Sequence, residues 1–444
     1  MYKILLYIPL IYSNVVLSQN YFNVELLDHW TDTTLIKGPE DVFFSDVWGF
    51  EFNNNLYCAL GSTEGTHIFK IENNQLKVVD FKAGKYQSLL VQHRDFKTYK
   101  NYLYAVCDEG TSSLQIFDLS YLPDSIHKVY DSNQYFQICH NIFIDTNKAK
   151  LYACGTNGLG MKIFDISTPN QPVLWYDFNQ VNYVHDCFVT NDTAFLNCGF
   201  DGLQIYDFST QTLQQLGVLD FYVEQGYNHS GWLSEDRQKY VFVDENKGKR
   251  IKICDATSLS NINVSSLYGT EDYANKVPHN VMIFSDFLFV SYYNEGFRIV
   301  DISNINSPKE VGFYDTFIQE TNYKLNGAWG VYVFKEKDLI LVSDRQNGLF
   351  LFYFPIQLSR ALKGETLVTN TPFINSHSVI IYPNPKNQML YFNIYNSLGE
   401  IVYHHQSLFN WVNIPLNLSS GQYYFTILSK TEEVLDKGRF VVAN

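Results

Sequence analysis

One short pattern returns seven times along this chain: "THIFKI" (66–71), "LQIFDLS" (114–120), "MKIFDIS" (161–167), "LQIYDFS" (203–209), "IKICDAT" (251–257), "FRIVDIS" (297–303) and "LFLFYF" (349–354). The fourth residues of the copies are Phe69, Phe117, Phe164, Tyr206, Cys254, Val300 and Phe352, spaced 48, 47, 42, 48, 46 and 52 residues apart. A period in this range, filled with strand signals, restricts the chain to four-stranded units set around an axis. Helical repeats of similar length would carry a 3.6-residue periodicity, and none is present.

Within one period the pieces are regular. "HDCFVT" (185–190) and "AFLNCG" (194–199) read as the first two strands, "LQIYDFS" as the third and "TLQQLGVLDF" (212–221) as the fourth. "TND", "FDG" and "STQ" supply the turns. Asp118, Asp165, Asp207, Asp255 and Asp301 close third strands, where an Asx turn would satisfy the reversing backbone. The fold expected is all-β, a seven-bladed β-propeller over residues 19–356. No fourth strand follows "LFLFYF", because the chain enters the polar "SRALKGETLVTNT". "FNVELLDHW" (22–30) resembles the fourth strands "EVGFYD" (310–315) and "PVLWYDF" (172–178). It is expected to complete blade seven and leave no open edge.

A histidine heads the first strand of four consecutive periods, in "QICHNIFID" (137–145), "YVHDCFVT" (183–190), "YNHSGWLS" (227–234) and "VPHNVMIF" (277–284). First strands line the channel of a propeller, so His140, His185, His229 and His279 should meet at one mouth. In blade two, His93 or Arg94 fills this slot, followed by Asp95; in blades one and seven it falls to Asp46 and Asn326. "SDVWG" and "NGAWG" pair Trp48 with Trp329. Asn141, Asp186 and Asn280 follow three of the histidines. Loops after second strands bring Asp108, Glu109, Asn157, Asp201, Glu245, Asn294, and Asp344 with Arg345, to the same face. Imidazole with carboxylate is the ligand set of zinc or a related divalent ion, calcium being the oxygen-rich option. A carboxylate beside a histidine could fix its tautomer, with Asp186 the nearest. The same groups could instead hydrogen-bond between blades and to channel water. No nucleophile elbow, phosphate loop or H-E-x-x-H is found.

The chain has 444 residues, 46% of them apolar, with 33 Tyr and 34 Phe for a large core. A net charge of −14 argues against a nucleic-acid partner, which demands a basic face. "MYKILLYIPLIYSNVVLSQN" has a Lys, an apolar run from Ile4 to Tyr12 and a polar break, which reads as a signal peptide over 1–18. That run is too short to span a bilayer, and no other segment could span as a helix. The protein is therefore expected to be exported and not transmembrane. Seven cysteines show no C-x-x-C spacing and read as small buried hydrophobes. Cys139/Cys154 and Cys187/Cys198 lie on adjacent strands of one hairpin each, without an expected bridge.

"LQIFDLS", "MKIFDIS" and "FRIVDIS" resemble the LVIVD repeat. The ordered series "SDVWG", "RDFK", "HNI", "HD", "HSGW", "DE", "HN", "NGAW" and "SDRQNGLF" resembles the choice-of-anchor B family of secreted bacterial proteins across residues 45–352. That resemblance implies a propeller and export, and no reaction. At the C-terminus, "IIYPNP" (380–385), "IYNSLGEIV" (394–402), "IPLNLSSGQYYFTI" (414–427) and "KGRFVV" (437–442) resemble the type A sorting domain of the type IX secretion system. It implies a small β-sandwich over 377–444 that engages the secretion machinery, behind a linker at 357–376, and an extracellular or outer-membrane-surface location.

The leading functional expectation is a non-enzymatic binding protein whose extracellular protein, glycan or small-molecule ligand meets the mouth. The alternative is a metal-dependent hydrolase or lyase in which the histidines, with Asp186, Glu245 or Asp344, hold an ion that activates water.

Overall fold

The third strands carry apolar side chains on both faces because each is covered on both faces. In Leu203–Asp207, Leu203 and Ile205 pack toward Leu233 and Tyr240 of the following sheet. Tyr206 points the other way, toward Tyr152 and Phe178 of the preceding one. Period-2 alternation then sends apolar side chains into two separate cores. The computed structural model describes residues 21–318, 325–356, 373–374, 379–381, 389–407, 411–413, 418–419, 421–431 and 433–442. The signal-peptide expectation lies outside these residues. Among them no helix is long and apolar enough to cross a membrane.

Up to Tyr353 the described strands form antiparallel sheets in a propeller-like arrangement, numbered here in chain order by their first strands. These are Phe44–Phe52 (sheet 1), Arg94–Tyr99 (2), Asn141–Asp145 (3), Asp186–Thr190 (4), Asn228–Leu233 (5), Val277–Phe284 (6) and Ala328–Phe334 (7). Each first strand packs on the next, and that of sheet 7 packs on that of sheet 1, so the contacts close a circle. The third strands end as their aspartates suggest. Asp118, Asp165, Asp207, Asp255 and Asp301 each accept the backbone N–H two residues on, at 2.7–2.9 Å.

Sheets 6 and 7 each take a strand from the start of the chain. Glu25–Trp30 pairs with Gly348–Tyr353 as the fourth strand of sheet 7, and Tyr21–Phe22 adds a fifth strand to sheet 6 against Lys309–Tyr314. The crossover between them turns at Asn23, whose φ is +55° and whose Nδ2 donates to the Val311 carbonyl at 2.6 Å. Every fourth strand bulges at the same place, skipping Val79, Val129, Trp175, Leu216, Ser265, Val311 and Leu27 in the pairing. A bulge adds local twist, which each sheet needs between its inner and outer edges. The bulge at Leu27 marks Glu25–Trp30 as a true copy of the fourth strand.

Sheet 1 buries His67 against Trp30 and Phe81, with Nε2 2.9 Å from Ser62 Oγ. Burial pushes its pKa down to about 4; Asp32 opposes this and Arg94 reinforces it. A depressed histidine pKa favours the folded state above the unfolded value and loses that contribution as pH falls through the folded one. Between pH 6.5 and about 4 this group should therefore withdraw up to about 3 kcal/mol. A His67→Phe variant is expected to show a flatter fall of urea stability over that window. An unchanged acid limb would contradict the assignment.

Beyond residue 372, a sheet runs in the order Phe373–Ile374, Val434–Val442, Gly421–Leu428, Leu390–Tyr395, Ile401–Ser407, and Val379–Ile381 pairs with Trp411–Asn413. Leu390, Phe392, Ile394, Tyr423 and Ile427 form its core. The "LGE" block is the turn of a hairpin, with Gly399 at φ +82° and Asn396 Oδ1 accepting from the Leu398 and Glu400 N–H groups. Phe373–Ile374, inside the stretch read as a linker, is strand. "PNP" lies outside the described residues.

Candidate functional site

The inner strands carry a second device. In sheet 5, His229 and Ser230 together oppose Val243; in sheet 6, His279 and Asn280 oppose Ser291. Two residues facing one is a bulge, and it lets neighbouring side chains both approach the axis rather than alternate. In sheet 7 the same position holds Trp329 and Gly330 opposite Ser343, and in sheet 1 it holds Ser45 and Asp46 opposite Gly61.

The outcome is a ring made of rings. Centroid separations run His93–His140 5.2 Å, His140–His185 4.1 Å, His185–His229 4.0 Å, His229–His279 4.6 Å, His279–Trp329 4.1 Å and Trp329–His93 5.1 Å. Sheet 1 contributes Asp46 to the lining, while Ser45 Oγ accepts the Arg94 N–H at 3.2 Å and His93 meets Trp329 directly. The cavity the rings line, together with Asp46, Arg94, Asp95, Asn141 and Asn280, is about 20 Å³.

Four of the five Nδ1 atoms have an acceptor. His185 Nδ1 lies 3.1 Å from the His229 carbonyl and His279 Nδ1 2.6 Å from the Trp329 carbonyl. A carbonyl only accepts, so both imidazoles carry their proton on Nδ1 and leave Nε2 as a bare lone pair. His229 Nδ1 faces the His279 carbonyl in the same sense, outside hydrogen-bond geometry. His140 Nδ1 pairs with Asp108 Oδ2 at 2.7 Å, and His93 Nδ1 with Glu109 Oε1. Glu245 reaches His229 Nε2 at 3.6 Å and takes the Tyr293 hydroxyl at 3.1 Å.

Burial first, and the neighbouring imidazoles second, hold His185 well below the ordinary histidine range. Burial also pushes His279 far down, and His229 down to about 4. These three are neutral at pH 7. At His140 burial also opposes protonation, but the Asp108 hydrogen bond and the charges of Asp108, Glu245 and Glu109 outweigh it, so its pKa is raised.

A second polar layer lies deeper. Asp46, Asp95, Lys97, Asn141, Asp186, Ser230 and Asn280 line a cavity of about 40 Å³. Lys97 Nζ sits 2.9 Å from Asp95 Oδ1 and 4.5 Å from the centre of the Trp48 ring. Burial, then the Asp95 charge, raise Asp46 well above the usual carboxylate value, and burial lifts Asp186 to about 7. Lys97 is raised despite burial because Asp95 and Asp46 face it. This layer neutralises itself. A Cβ on Gly330 would lie 2.1 Å from Asp46 Oδ1, so only glycine leaves room for that carboxyl.

Several sequence-level placements are corrected here. In sheet 2, His93 supplies the ring and Arg94 also lines the cavity, its guanidinium turning between sheets to donate to the Ser62 and Tyr86 carbonyls. Asp46 lines the cavity from sheet 1, whereas Trp329 takes the place given to Asn326, because matching the two Trp-Gly pairs misses the bulge. Asn326 instead bonds Gln346. Asp186 does not orient His185; a carbonyl of the next sheet does. Asp344 is buried away from the ring, accepting from Thr316 and from the Gln346 and Asn347 N–H groups. Arg345 stacks over Trp329 at 4.9 Å. All seven cysteines are buried and free, and the close sulfur pair is Cys154–Cys187, 3.4 Å apart between sheets 3 and 4.

Around the mouth, the loops carry exposed apolar groups, including Phe200 (75% exposed) and Phe221 (87%). A cleft of about 620 Å³ runs past Asn179, Asn182, Phe200, Asp201 and Asp220. Another of about 590 Å³ runs past Asp108, Tyr135, Gln137 and Asn157. Phe200 meets Tyr227 edge-on at 5.2 Å, and Tyr227 meets His185 at 5.5 Å, so surface and ring are continuous.

The LVIVD repeat family matches residues 278–316, which run from the head of the first strand of sheet 6 past its fourth. No curated protein matches the chain. Among solved structures it is similar to PorZ of Porphyromonas gingivalis, an essential bacterial surface component of the type-IX secretion system, at 12% identity and a TM-score of 0.52. That match covers 92% of this chain and 60% of PorZ, so this chain spans less than two thirds of its length. It is also similar to U3-55K, at 10% identity and a TM-score of 0.54, covering 72% of this chain and 98% of the other. At such identities the likeness speaks for the fold alone: an all-β, propeller-like chain with an LVIVD repeat in its sixth sheet.

Proposed function

We propose that this chain is an exported, surface-located seven-bladed β-propeller that binds an extracellular ligand at its histidine-bearing mouth. In this reading the sheets are its blades, and the resemblances of residues 45–352 to the choice-of-anchor B proteins and of residues 377–444 to a type IX sorting domain support export. The likeness to PorZ, itself a surface component of such a system, supports that location. The observation that carries the binding reading is the continuity of the imidazole ring with two open clefts. Those clefts offer aromatic faces beside carboxamides and carboxylates, the groups that hold polar ligands such as glycans, peptides or small polar molecules. The ring encloses about 20 Å³, room for an ion or a water and not for a substrate, which favours binding over hydrolase or lyase turnover.

The test is capture from a glycan array and a cell-surface extract by the wild-type chain, by Phe200→Ser/Asp201→Asn and by His229→Gln. Capture should be lost with the cleft variant. An empty array and extract, together with turnover of a small substrate, would reverse the reading. For the address, a folded reporter carrying 377–444 should appear outside a type IX-competent cell; retention inside would refute it.

A further inference from the structure

We propose that the imidazole ring is a site for one divalent transition-metal ion of the zinc class. The inference deepens the reading of the mouth as a binding site and rests on it. The ligand atoms of His140, His185 and His229 lie within 4.8 Å of one another, and so do those of His229, Glu245 and His279. His229 belongs to both groups, so one ion at its Nε2 can draw on either side.

Three further observations point to a cation there. Backbone carbonyls hold the Nδ1 protons of His185 and His279, and Asp108 holds Nδ1 of His140. Such outer partners fix the tautomer and orient the ring of a metal-bound histidine. The cavity is the size of one ion or water. The deeper carboxylates are already countered by Lys97, whereas the ring has unpaired lone pairs and the flanking charge of Glu245. Tetrahedral zinc–nitrogen bonding sets ligand atoms about 3.3 Å apart, so each ring must close by less than about 1 Å. A nitrogen-rich set selects zinc, copper or nickel and disfavours calcium and magnesium, which demand oxygen.

The test uses the tag-free full chain, stripped by chelator and titrated with Zn²⁺ by calorimetry, with Co²⁺ absorption reporting coordination. One ion per chain is expected, with a four-coordinate cobalt spectrum. Asp108→Asn should weaken binding about 10–100-fold. His229→Gln should abolish it, and His67→Gln, outside the ring, should leave it intact. Thermal melts establish that each variant is folded. Absence of saturable zinc binding, or one-site binding unchanged in folded His229→Gln, overturns the proposal. If the wild type binds no zinc yet His229→Gln loses ligand capture, the metal inference falls and the mouth reading stands. Zinc binding with no ligand captured in either metal state supports the metal site and overturns the receptor reading.

Discussion

Replacing Lys252 by alanine is expected to destabilise the chain by about 3–5 kcal/mol. Lys252 lies on the third strand of sheet 5 and Asp244 at the end of the second, and both side chains are 0% exposed. The ammonium sits 2.6 Å from Asp244 Oδ2 and 2.9 Å from the Glu224 carbonyl. Asp244 also accepts from the Tyr222 hydroxyl at 2.8 Å and the Gly226 N–H at 3.0 Å. Burial lowers the pKa of Lys252 against the pull of Asp244. Removing the cation leaves a carboxylate without a counter-charge in a dry core, and that orphaned charge costs more than the pair contributed. The double variant Lys252→Met/Asp244→Asn should therefore recover much of the loss, a coupling that separates the charge effect from the lost stem packing. Urea unfolding at pH 7 measures it; a Lys252→Ala chain within about 1 kcal/mol of wild type would show that water reaches the pair. The consequence extends to the mouth, because Asp244 immediately precedes Glu245, which faces His229 and Tyr293.

The sequence carries only a hint of that pair. The second residue of the repeat is polar in six copies: His67, Gln115, Lys162, Gln204, Lys252 and Arg298. Lys162 and Arg298 reach fourth-strand carboxylates, Asp177 and Glu310, whereas Lys252 turns to the second strand. Which way a lysine turns depends on where a carboxylate waits, and strand periodicity does not say. The all-β class and the four-stranded units were legible because apolar alternation at a fixed period has one economical outcome. The histidines were legible because a period of 44–50 residues repeats their place in the sheet. The ring's exact membership was not. A bulge lets two residues share one place, so Trp329 could not be told from Asn326 by matching Trp-Gly pairs, although Asp46 does line the cavity. His93 could not be told from Arg94 without the carbonyls of Ser62 and Tyr86 that draw the guanidinium away. The tautomers depend on carbonyls 44 and 50 residues downstream, which are neighbours only once the sheets pack side by side.

Deleting residues 21–30 should be the other severe change, on the order of 5 kcal/mol from lost burial and ladder bonds. Val24 is buried within the core shared by sheets 6 and 7. Trp30 packs edge-on against Phe69 at 4.8 Å and Phe44 at 5.8 Å. Without Glu25–Trp30, the Gly348–Tyr353 strand becomes an exposed, unpaired apolar edge, the kind that recruits another chain. The truncated protein is therefore expected to melt earlier and to elute as dimers or larger species, and a synthetic 21–30 peptide added in excess should restore both properties. The damage should also reach the imidazole ring. Trp329 comes from sheet 7 and His93 leads into sheet 2, so their contact spans the seam this strand holds shut. A truncated chain that stays monomeric and keeps its melting temperature would mean that the inner-strand contacts alone close the circle. The fourth strand would then be ornament rather than clasp.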